Sequence, residues 1–80
     1  MSRVRAYEEI IAFIAAGTTP RTVADFRPSE ATRQRVAELV AREKVGSLEP
    51  EEATELDRYL TLEHLMRLAK ARALRLTADE

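Results

Sequence analysis

Residues 48–76 read LEPEEATELDRYLTLEHLMRLAKARALRL, and this stretch decides the fold. The run is too long for a strand, and its apolar residues recur at helical rather than alternating spacing. Tyr59, Leu62, Met66, Ala69, Ala73 and Leu76 are separated by 3, 4, 3, 4 and 3 residues, which sets them on one face of a helix. Pro50 suits the first helical position and Glu49 takes the cap position. The expectation is a long C-terminal helix over residues 50–76. Its heptad face is expected to receive the first helix of the chain, with the two alanines permitting close approach.

The same helix carries more leucine than one neighbour can cover. Leu56, Leu60, Ala71 and Leu74 fall on a second side, and Leu65 and Leu68 lie beyond the edges of both. Its charge is graded. Glu51, Glu52, Glu55 and Asp57 load the start, and Arg67, Lys70, Arg72 and Arg75 load the end. Both match the helix dipole, so dipole complementarity accounts for most of the gradient. The leucine arc around His64 is left unexplained. It makes Leu60, His64, Leu65 and Leu68, with Arg67, Arg72 and Arg75 at the rim, the candidate partner-binding residues.

Upstream, three further helices are expected. Residues 3–16 form the first, capped by Ser2, with Tyr7, Ile10, Ile11 and Ile14 on one face, Phe13 at its edge, and Gly17 as terminator. Thr19-Pro20 starts a short helix over 20–26 that turns Val23 and Phe26 inward. Arg27-Pro28 breaks it, because a residue before proline avoids the helical region. Ser29 caps a helix over 30–45, with Thr32, Val36, Leu39 and Val40 on its apolar stripe. Arg33, Arg35, Glu38, Arg42 and Lys44 lie on its other face, with Glu38 and Arg42 as an i,i+4 pair, and Gly46 closes it. The fold class is therefore all-α: one domain, a small bundle of three main helices plus a short one.

Composition narrows function. The chain has 80 residues, 45% hydrophobic and 34% charged, with a net charge of −1. That balance argues against a surface tuned throughout to nucleic acid. There is no cysteine, which removes disulfides, thiolate nucleophiles and Cys-bound zinc together. Glu8 and Glu9 interrupt the apolar N-terminal run, so it does not read as a secretory signal, and no run reaches the ~18 apolar residues of a membrane span. A cytoplasmic protein is expected, without membrane contact, cofactor or metal. His64 is the lone histidine and faces Leu60 and Leu68 one turn away rather than carboxylates. The acids at the start of the last helix sit where a helix N-terminus favours them, and no phosphate-binding glycine loop exists. An enzyme is not expected.

The segments Thr18–Pro20 (TTP), Phe26–Ser29 (FRPS), Gly46–Glu52 (G-x-L-x-x-E-E) and Glu55–Ala73 (ELD-x-Y with EHLMRLAKARA) carry a resemblance. Over residues 7–73 the pattern resembles a family of small uncharacterised bacterial all-helical proteins, which look like antitoxins encoded beside nuclease-type genes. Glu49 departs from that pattern, which prefers threonine there, the better cap. The resemblance implies a protein–protein interaction module restraining a nuclease-type partner. Two alternatives stand beside it. One is a homodimeric scaffold shielding the same leucines. The other is a helix-turn-helix-like DNA-binding autoregulator using residues 20–45, with Arg33, Gln34 and Arg35 near the start of its second helix.

Overall fold

The computed structural model describes residues 5–78, and they are helical with short connections; among them there is no strand. Four helices follow in order: α1 (Glu8–Ala15), α2 (Pro20–Asp25), α3 (Glu30–Lys44) and α4 (Pro50–Ala78). The all-α reading holds. At about 1.5 Å per residue, the 29 residues of α4 extend ~43 Å, close to the 48 Å long dimension of the molecule. The other helices lie along it.

The helix boundaries follow from their caps. Thr19 and Thr22 form a reciprocal capping box, each side chain accepting from the other's backbone N–H, at 3.2 and 2.8 Å. Ser29 accepts from the Thr32 N–H at 3.2 Å. Beyond α3, Gly46 has φ +72, and Ser47 N–H donates to Arg42 while Gly46 N–H donates to Glu43. These two bonds make a Schellman terminus, in which only glycine meets the left-handed backbone without strain. At the head of α4, Glu52 accepts from the Glu49 N–H at 3.2 Å, which is the reciprocal half of a capping box.

Three expectations are corrected. First, α1 begins at Glu8 rather than residue 3: Ala6 and Tyr7 form a turn that lets the Ala6 N–H reach α4. Ser2 and residues 3–4 lie outside the described residues. Second, the buried face of α1 is Tyr7 and Ile10 with Phe13, whose ring meets Phe26 at 4.5 Å, while Ile11 and Ile14 are each 47% exposed. Third, the alanines of α4 receive α2 rather than the first helix. Thr19, Pro20 and Val23 line one groove together with Ala69 and Ala73. Short side chains let α2 settle close to α4, which a larger residue at these positions would prevent.

The path of the chain is then simple. Ala6 and Tyr7 meet Glu55 and Arg58 of α4, α2 rests against residues 69–73, and α3 runs back antiparallel, placing Arg35 at Glu55 and Arg42 at Glu52. Ser29 N–H donates to Glu9 at 2.7 Å, tying the start of α3 to α1. The core gathers Ala6, Tyr7, Ile10, Tyr59 and Met66, flanked by Phe13, Val23, Phe26, Val36 and Leu62. Leu39 and Leu56 are also buried, at the end where α3 and α4 are joined.

Candidate functional site

The inward side of α4 is organised by a buried carboxylate. Glu55 accepts from the Ala6 N–H at 2.9 Å and from Arg35 at 3.1 and 2.9 Å through Nε and Nη2. The two side chains are only 5% and 13% exposed. The hydrogen bond that Arg35 donates to Glu55 holds its guanidinium above the ordinary value, against the opposing effect of burial. Glu52 lies one turn earlier, 3.7 Å from Arg35 and bonded to Arg42. The Glu49 backbone N–H, followed by Arg42 and Arg35, draws the Glu52 carboxyl below the usual range. These acids are consumed in holding α3 and the N-terminal turn, so they do not form an acid–base pair.

Arg35 is therefore withdrawn from the surface on which the alternative, DNA-binding reading sets it. A bidentate guanidinium in a buried pair cannot also reach a base edge. Of the three candidates, Arg33 and Gln34 remain exposed, and Arg33 is paired with Glu30 at 3.0 Å. Arg42, expected on the solvent face, likewise turns to α4 while keeping Glu38 within 3.9 Å.

The candidate partner-binding residues lie on the opposite side. Leu60, Leu65 and Leu68 are between 47% and 58% exposed, and His64, Arg72 and Arg75 are exposed beside them. At about 100° per residue, Leu60, His64 and Leu68 share an arc of ~80°, with Leu65 ~60° further round. Arg67 is exposed, pairs with Glu63, and lies beside Leu60 on the flank that faces α3, where both line one groove.

That flank holds a groove of about 370 Å³, which the sequence did not reveal. Ile10, Val36, Tyr59 and Met66 are among its lining residues, and Arg33, Arg67 and Lys70 border it. Burial pushes the Tyr59 hydroxyl up. Lys70 donates to the Phe26 carbonyl and lies 5.9 Å from the Phe26 ring centre. Burial, then the nearby Arg27, lowers its ammonium below the ordinary lysine value. A shallower groove of about 510 Å³ runs between α1 and α4 past Tyr7, Ile11, Arg58 and Leu62. Among the described residues, no cluster of His, Asp or Glu could hold a metal ion, and no helix is long and apolar enough to cross a membrane.

No family model matches the chain, and no curated protein or solved structure matches it either.

Proposed function

We propose that this protein is a protein–protein interaction module whose contact surface is the outward side of its C-terminal helix. The observation that carries the reading is the exposure of Leu60, Leu65 and Leu68 on one side of α4, while α1, α2 and α3 cover the other. Half-exposed leucines within about two helical turns make an apolar patch of the kind that marks contact sites. Arg72 and Arg75 supply a basic rim at the C-terminal end. Large apolar side chains at the centre of such a patch provide most of the affinity, and rim charges set orientation and encounter rate.

The resemblance described above gives the partner its direction: a nuclease-type protein that this chain restrains in the manner of an antitoxin. The test is binding of Leu65→Asp with Leu68→Asp to the product of the neighbouring gene, which this reading expects to be a nuclease-type protein. Both positions are exposed, so the variant should fold with stability within about 0.5 kcal/mol of the parent. Loss of binding by the folded variant is the expected result. Undiminished binding would overturn the reading.

A further inference from the structure

We infer that the outward stripe of α4 pairs with the same stripe of a second copy, antiparallel, with the two-fold axis at His64. This rests on the reading of α4 as a contact surface and names one occupant of it. The first support is positional. Leu60 and Leu68 stand four residues either side of His64, Asp57 and Ala71 stand seven, and Ala53 and Arg75 stand eleven. Spacings of four, seven and eleven keep to one helical face. All seven residues are exposed.

An isologous contact requires a surface complementary to itself, in which residue i meets j and j meets i. This stripe meets that requirement about His64. Each Leu60 lies opposite a Leu68, twice over, and the two imidazoles meet at the axis. Asp57 falls opposite Ala71, whose methyl leaves its carboxylate open to the other copy's Arg75, one turn away at ~6 Å along the axis.

The second support is charge. The outward stripe is acidic at Asp57 and basic at Arg75. An antiparallel pair sets each acidic end over a basic one, whereas a parallel pair sets like on like. The stripe from Ala53 to Arg75 runs ~33 Å, one helix wide. A contact of that size belongs to the small, reversible class, with dissociation in the micromolar range. Leu60 and Leu68 belong to both contacts, so the pair and the nuclease-type partner compete for this side of α4.

The chain has no cysteine, so a single introduced thiol reports its own neighbours. The protein alone, at ~100 µM, should sediment as a dimer. His64→Cys should form an interchain disulfide under mild oxidation at least tenfold faster than Ala41→Cys, an exposed control on α3. Leu60→Cys alone should not cross-link, but mixed with Leu68→Cys it should. Arg75→Glu should weaken the dimer roughly tenfold, and adding Asp57→Arg should restore it. A monomer at this concentration overturns the inference, as does a His64→Cys rate no greater than the control. So does cross-linking of Leu60→Cys to itself, which marks a parallel pair. Binding of the nuclease-type partner is read separately, by mixing it with the Arg75→Glu variant: partner binding without a dimer overturns the pair alone, and a dimer without partner binding overturns the partner reading alone.

Discussion

The two sides of α4 invert what residue type alone would suggest. Glu55 is 4% exposed and Leu68 is 58% exposed, although they belong to the same helix. On the inward side the carboxylate has a guanidinium and a backbone N–H within 3.1 Å, so its burial is compensated. On the outward side no helix among the described residues covers the leucine. Burial along α4 follows from where α1, α2 and α3 dock, and the docking is set partly by polar partners. The leucines are what remains after that docking is complete.

The largest expected effect comes from breaking the inward side. Glu55→Ala leaves the Ala6 N–H without its acceptor and Arg35 with only the more distant Glu52, and should destabilise the fold by about 3–5 kcal/mol in urea titration. For so short a chain that is much of the total. Replacing the pair together, Glu55→Met with Arg35→Met, should recover part of the loss, since removing both charges removes the unpaired one. The Ala6 N–H would still lack its partner, so recovery should be incomplete. A double variant no more stable than Glu55→Ala would mean the ion pair is not what holds α3 in place.

Two alanines, two residues apart, sharpen the contrast. Ala73 is buried beside α2, and Ala71 is exposed on the outward stripe. Ala73→Leu should force α2 away and cost about 1–3 kcal/mol. Ala71→Leu should leave the fold within about 0.5 kcal/mol of the parent. Thermal melts of the two variants side by side give the comparison, and equal losses would deny the close approach of α2. Leu68→Ser should similarly leave the melting temperature nearly unchanged while reducing association.

The sequence made some of this architecture legible and hid the rest for a physical reason. The caps at Thr19 and Ser29 and the stops at Gly17 and Gly46 are local chemistry, readable within four residues. The half-exposed leucines were legible as an excess over what one face can bury. Hidden were contacts between residues far apart in the chain. Arg35 looked like a surface cation because its partner stands 20 residues later. One signal was present: Arg35, Leu39 and Arg42 share a face of α3, and Glu52 and Glu55 share one of α4. A tight connection over residues 45–49 makes those faces meet antiparallel, so each arginine finds an acid. The Phe13–Phe26 contact has no comparable marker, and without it periodicity adds Ile11 and Ile14 to Tyr7 and Ile10 on the face of α1 and leaves Phe13 at its edge.

The smallest expected effect concerns acid. The Glu52 carboxyl titrates below its usual range because it accepts from the Glu49 N–H and from Arg42. A folded-state value below the unfolded one means that the ionised form is favoured by folding. Its stabilising contribution is complete above the unfolded carboxyl value, near pH 4.5, and is lost as pH falls through the lower folded value. Glu52→Gln lacks that contribution at every pH. At pH 7 the variant should melt below the parent, and the gap should narrow as pH falls from about 5 towards 3. Melting curves across that range decide it. A gap that stays constant would place the value of Glu52 in its shape and packing rather than its charge.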